Sequence, residues 1–175
     1  RLHRYQDITT VGYSQGYKKY SKRWVFTYFG TLIEEPNKIK FIPSYQALVD
    51  NKKKGIIRGL HLQNKPFEEI KLVKCVKGSI FDVVIDLRRK SKTFLNIFKI
   101  KLKFGDGLTL LVPKGCAHGY QTLEINTKVL YSIQGTYMKS SENGIRWDDP
   151  FFNIKWPIKK KYLSQKDKHL KNFHI

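Results

Sequence analysis

Two glycine-anchored stretches place donor side chains at short, regular spacing. Gly55-x5-His61-x-Gln63-x4-Glu68 carries an imidazole, an amide and a carboxylate, and Gly107-x5-Pro113-x-Gly115-x2-His118 carries a second imidazole. The turn glycines and the proline end strands, so that inward-facing His, Gln and Glu converge inside a small β-barrel. His61, Glu68 and His118 supply three donors of the kind that hold a divalent cation. Gln63, however, stands where a further imidazole would strengthen such a site. The same histidines can equally satisfy hydrogen bonds within the barrel wall. Spacing alone leaves both readings open.

The elements that must position these residues are strands. Ile70–Val76, Ser79–Leu87, Asn96–Leu102, Gly107–Val112 and Thr127–Ile133 alternate or run apolar at strand length. Turn residues such as Gly105-Asp106-Gly107 and Pro113-Lys114-Gly115 separate them, and no long amphipathic helix lies between. An all-β sandwich or barrel follows. Past Pro157 the chain turns polar and charged; Ser164 is suited to N-cap one short helix over Gln165-Lys166-Asp167. No internal repeat or low-complexity linker divides the 175 residues, and that length suits one domain. We expect a divergent arm over 1–45, the barrel over 46–157 and a peripheral C-terminal segment over 158–175.

Composition removes several function classes. Hydrophobic residues at 41% exclude a mainly disordered chain despite a formal net charge of +20. No apolar run approaches the roughly 18 to 20 residues that cross a bilayer as a helix, and no signal-peptide pattern opens the chain. Cys75 and Cys116 have neither metal nor redox spacing, so a reduced, cytoplasmic protein is expected. The charge suggests nucleic acid, but only seven of the 34 basic residues are Arg, and no zinc-finger, RNP, KH or basic-zipper pattern is present. Lysines alternating with apolar residues, as in Lys99-Ile100-Lys101-Leu102-Lys103, belong on the solvent face of a strand. No nucleic-acid or membrane partner is expected.

The ordered pair of glycine-anchored stretches resembles the two motifs of the cupin superfamily, which implies a double-stranded β-helix, or jelly-roll barrel. Longer stretches narrow the resemblance. G-I-I-R-G-L-H-L-Q from Gly55, K-L-V-K-C-V-K-G-S-I-F-D-V-V-I-D-L-R from Lys71 and S-K-T-F from Ser91 resemble the dTDP-4-dehydrorhamnose 3,5-epimerase family. V-P-K-G-C-A-H-G-Y from Val112, V-L-Y-S-I-Q-G-T-Y from Val129, G-I-R-W-D-D-P from Gly144, I-K-W-P from Ile154 and L-S-Q-K-D from Leu163 follow in the family's order. The resemblance runs from Gln46 to Asp167, about seven tenths of the chain.

That resemblance implies an isomerase that epimerises a nucleotide-diphosphate-linked 4-keto-6-deoxyhexose at C3, C5 or both, with no metal or other cofactor. Such a reaction removes a C–H proton beside a ketone, passes through an enolate and returns a proton to the other face. By resemblance His61 is the base, a role that suits an imidazole because the free group titrates near neutral pH, and Asp167 fixes its tautomer. Tyr131 is the general acid on the opposite face, Lys71 stabilises the enolate oxygen, and Tyr137 is a second pocket tyrosine. Arg58 and His118 match contacts to the sugar and diphosphate, and Gln46 a nucleotide contact. Arg23 and Phe26 match an arm that reaches the partner's nucleotide, which implies a homodimer.

Ser21, Trp24, Tyr28, Leu48 and Asp50 depart from the family pattern at positions that help hold the nucleoside. A base other than thymine, a differently substituted sugar, or drift at the dimer arm each accounts for them. Related alternatives are a 3,4-ketoisomerase and a non-catalytic sugar-nucleotide or nucleic-acid-binding cupin. dTDP remains the expected carrier.

Overall fold

The computed structural model describes residues 41–174 and the backbone of one further strand, Trp24–Phe26. Arg23 lies outside the described residues, and only the backbone of Phe26 is described. Ten strands follow in order: β1 (Trp24–Phe26), β2 (Tyr45–Asn51), β3 (Ile57–Gln63), β4 (Ile70–Lys77) and β5 (Ser79–Asp86), then β6 (Ile97–Lys103), β7 (Leu108–Val112), β8 (Cys116–Thr122), β9 (Thr127–Gln134) and β10 (Glu142–Gly144). One short helix, α1 (Gln165–Lys168), comes last. The strands form two five-stranded sheets, β1-β7-β4-β9-β2 and β10-β3-β8-β5-β6. All pairings except the parallel β1–β7 are antiparallel.

The five strands read from sequence are β4 to β7 and β9, each within a residue of its expected end. Between the sheets lies a core of Val73, Cys75, Ile80, Val84, Leu102, Leu110, Val112, Tyr120 and Val129. The second sheet is also covered on its other face. Ile57, Leu60, Val83, Ile85 and Ala117 pack there under Ile145, Phe152, Ile154 and Trp156. Burial on both faces explains why β5, with four β-branched residues among its eight, does not alternate between apolar and polar residues.

The C-terminal segment lies along the outside of this second core: Leu163 and Phe173 pack onto the same cluster, and Tyr162 bridges Ile56. Its many lysines point outward while its sparse aromatic and aliphatic residues anchor it. The helix cap at Ser164 is as expected, its hydroxyl accepting from the Asp167 N–H at 3.1 Å.

Strand β8 escaped the periodicity argument because all seven of its residues are buried and four are Gly, His, Gln or Thr. Its Gly119 is required by close approach: a Cβ there would sit 2.6 Å from the Arg58 carbonyl oxygen on β3. Gly59 on β3 reciprocates with φ +104°, and a Cβ would meet the His118 carbonyl oxygen at 2.5 Å. The two strands close together at the level where each carries its histidine.

Candidate active site

His61 on β3 and His118 on β8 are register partners, so both project from the same level of one sheet. Each is held by its own carboxylate. His61 Nε2 lies 2.6 Å from Asp167 Oδ1, across 106 residues of sequence. The Asp167 carboxylate also accepts from the Ser164 hydroxyl at 2.7 Å and the Gly59 N–H at 3.3 Å. Burial alone would raise the Asp167 carboxyl, but the hydrogen bonds from His61, Ser164 and Gly59 hold it below the ordinary carboxylate range. An ionised Asp167 takes the proton-bearing face of the imidazole, which leaves the lone pair on Nδ1. The His61 side chain is one-third exposed, at 34%, while its carboxylate partner is at 3%. That asymmetry suits a base, with a sealed support behind an accessible ring.

His118 differs in burial. Its Nε2 lies 2.8 and 3.0 Å from the two oxygens of Asp82, and both residues are buried. Burial pushes the Asp82 carboxyl up, and the adjacent His118 opposes it. The His118 ring meets Tyr131 edge-on, with centroids 5.9 Å apart. Tyr131 comes from β9 in the facing sheet, where it shares the inward face with Val129 and lies in register with Val73 of β4. Burial raises its phenol well above the ordinary value, with Tyr120 and Asp82 adding to the rise and Arg58 opposing it. The base candidate and the acid candidate therefore reach the barrel interior from opposite sheets.

Lys71 lies on β4 two residues before Val73, on the inward face of the first sheet. Its side chain is 13% exposed, and Nζ lies 3.5 Å from the buried Glu69 carboxylate. Burial lowers the ammonium's pKa and Glu69 works against that. Tyr45 donates to Glu69 Oε1 at 2.9 Å, fixing the carboxylate from the other side. Arg58 donates through Nε to Asn51 Oδ1 at 2.8 Å. Tyr137 is half exposed beside Glu142, and Glu142 ion-pairs Lys166 at 2.6 Å.

The structure brings His61, Asp167, His118 and Tyr131 together, with Arg58 reaching Asn51 toward the start of β9 and Lys71 lying toward its end. It does not bring Gln46 there. Inward residues of β2 are odd-numbered, so Gln46 faces out, donating to Ser132 Oγ at 2.8 Å. The alternative metal set does not converge either. Glu68 lies by Gly115 and Arg88, on the rim of a cavity of about 690 Å³ also lined by Lys65, Arg89 and Lys114. Gln63 is occupied by backbone, donating to the Phe67 and Thr136 carbonyls and accepting from the Met138 N–H. Among the described residues no three His, Cys, Asp or Glu side chains cluster as metal ligands.

Several neighbours were not singled out from sequence. Glu69 and Asp82 carried a usable signal, since period-two spacing puts Glu69 on the face of Lys71 and Asp82 on the face of Val84. Asn51, Tyr120, Glu142 and Lys166 carried none, because their partners are remote in the chain.

Asp167→Asn tests the dyad. The amide donates where the carboxylate accepted, placing the imidazole lone pair on Nε2 and the proton on Nδ1. Turnover should fall by about 10²- to 10⁴-fold, read by product formation under saturating substrate. Stability supplies a second readout with a defined sign. Asp167 is held below its ordinary value in the folded state, so its contribution is present above about pH 4 and is lost as pH falls through the folded value. The gap in melting temperature between wild type and Asp167→Asn should therefore narrow on acidification.

Comparison with known proteins identifies the family. The family model described as dTDP-4-dehydrorhamnose 3,5-epimerase matches residues 20–174. The curated enzyme of that name from Shigella flexneri is 40% identical over 114 residues, 65% of this chain and 63% of its own length. The match to the one from Sinorhizobium fredii is 41% identical and covers 58% of that protein. The chain thus spans about three-fifths of these relatives. Among solved structures, the Bacillus anthracis enzyme with TDP and PPi bound superposes with a TM-score of 0.77 at 33% identity, covering 83% of both chains. The Legionella pneumophila enzyme in complex with dTDP-4-keto-L-rhamnose gives 0.72 at 28% identity, covering 98% of this chain and 84% of that one.

Proposed function

Because the chain belongs to the dTDP-4-dehydrorhamnose 3,5-epimerase family, we propose that it epimerises a dTDP-linked 4-keto-6-deoxyhexose at C3 and C5, in deoxysugar biosynthesis of the rhamnose type. His61 takes the proton from the carbon beside the C4 ketone through Nδ1. The C–H electron pair moves into an enolate whose charge rests on the C4 oxygen. Lys71 supplies the fixed positive charge at that oxygen, where a preorganised cation in a water-poor site is worth far more than in bulk water. Tyr131 gives its O–H proton to the same carbon from the opposite face, inverting it and leaving a phenolate. Exchange with solvent then restores both groups. Arg58 binds the diphosphate, for which a guanidinium is well suited, and His118 contacts the sugar or diphosphate.

The observation that carries this reading is His61 of one sheet, paired with Asp167 of α1, facing Tyr131 of the other sheet, whose ring meets that of His118, the register partner of His61. Gln46, on the outer face, and the arm carrying Arg23 and Phe26 belong to the same reading as contacts completed in a homodimer, and the enzyme is assigned to the cytoplasm. No helix among the described residues is long and apolar enough to cross a membrane.

Incubation with dTDP-, UDP-, CDP- and GDP-linked 4-keto-6-deoxyhexoses in heavy water tests the reading. Deuterium should enter C3 and C5 of the dTDP sugar, with inversion. No incorporation into any of the four overturns it, and preference for another base would reassign the carrier.

A further inference from the structure

The mechanism uses Lys71 but leaves unused the carboxylate beside it. Lys71 enters the barrel between two apolar register partners, Val112 of β7 on one side and Ile133 of β9 on the other, and both are buried. An ammonium in that row has little access to water, and charges taken out of water persist only when paired. Glu69, the residue before β4, makes the pair. Its Oε2 lies 3.5 Å from Lys71 Nζ, with 13% of the lysine side chain and 6% of the glutamate side chain exposed. The other oxygen, Oε1, accepts from the Tyr45 hydroxyl of β2 at 2.9 Å. Gly135, just past β9, leaves room for the glutamate, since a Cβ there would lie 3.2 Å from Glu69 Cγ. Both carboxylate oxygens are thus engaged, one by a cation and one by a donor from another strand.

We propose that Glu69 is a positioning residue for the reaction: the buried counterion that keeps Lys71 an ammonium inside the barrel, with Tyr45 holding its second oxygen in place. The proposal rests on the epimerase reading above, in which that ammonium meets the enolate oxygen. A neutral amine at the same place could still donate a hydrogen bond, but it would bring no charge to the oxygen as the enolate forms. Burial pulls the Lys71 ammonium below its ordinary pKa. Glu69 opposes that most strongly, Glu142 of β10 adds to the opposition, and Lys166 of α1 adds to the fall. The partners from β7 and β9 carry no charge. Burial and Glu69 together raise the Tyr45 phenol, so it stays a donor to the carboxylate.

Glu69→Gln keeps the shape and the acceptor for Tyr45 and removes the charge. With Tyr45 donating to the amide oxygen, the amide NH2 faces Lys71 and can accept nothing from it. The readout is the rate of deuterium entry from heavy water into the dTDP-linked 4-keto-6-deoxyhexose, followed from about pH 6 to about pH 10 with the enzyme-free rate subtracted. The alkaline limb, where the ammonium loses its proton and exchange slows, should move down by about one pH unit or more in Glu69→Gln. Below that limb the rate should change much less. A merely structural role would lower the rate at every pH and leave the limb in place. If circular dichroism shows Glu69→Gln unfolded, Glu69→Asp decides: it draws the carboxylate back by one methylene, and the limb should move the same way by a smaller amount. A limb that keeps its wild-type position in the folded variant, or that is missing from both proteins, overturns the proposal. Absence of exchange in the wild type at every pH would instead overturn the epimerase reading, and this proposal with it.

Discussion

Replacing His61 with Ala should abolish deuterium exchange at both C3 and C5 while the barrel stays folded. The loss should be at least about 10³-fold, or about 4 kcal/mol of transition-state stabilisation, the range a positioned general base supplies. No neighbour substitutes for it. His118, one strand away in register, has its Nε2 against both oxygens of Asp82 and is buried. Folding survives because the His61 side chain is one-third exposed and its removal opens no sealed cavity. Asp167 loses one partner but keeps the Ser164 hydroxyl and the Gly59 N–H. A destabilisation of about 1–3 kcal/mol is expected for that loss, measurable by chemical denaturation. Exchange persisting near wild-type rate in a folded variant would show that the base lies elsewhere.

Tyr131→Phe should separate the two halves of the reaction. Proton removal by His61 does not need the phenol, so deuterium should still wash into the substrate. Inversion should fall by about 10²- to 10⁴-fold because no acid remains on the opposite face. The ring is retained, so its packing on the interior cluster and its edge contact with His118 should survive. Stability should change by little, since the deleted hydroxyl has no hydrogen bond to backbone. Chiral analysis of the recovered sugar together with mass spectrometry reads both quantities from one incubation. Equal loss of exchange and inversion would assign Tyr131 to substrate placement instead.

The two variants differ in what the sequence could have said about them. Each residue sits in a short stretch that carries the family resemblance, so its identity as a candidate was legible. Geometry was not. His61 and Asp167 are 106 residues apart, and only the packing of the C-terminal segment onto Ile57, Leu60 and Ala117 brings the helix that bears Asp167 beneath β3. That segment gave no sign of this packing because it is rich in lysine. The few apolar residues that anchor it are too sparse to make a periodic pattern.

Local rules sufficed for the barrel's regular parts. Strands β4, β5, β6, β7 and β9 follow from two-residue alternation or β-branched runs, and the Ser164 cap follows from one hydroxyl before a polar turn, because these are properties of neighbouring residues. Alternation defines two faces of a strand without saying which one meets the core. Hence Gln46, an expected nucleotide contact, lies on the outer face of β2, while Asn51 five residues on is sealed inside. The inner face is chosen by what packs opposite, and that is a tertiary fact. The same holds for Tyr120, Asp82 and Glu69. Their chemistry depends on a partner's distance and on loss of water, and chain spacing encodes neither. Local periodicity thus determined the barrel's regular strands, and the family resemblance of short stretches named its candidate base and acid. The pairing of sheets decided which polar groups surround them, because burial and remote hydrogen bonds arise only when the sheets close.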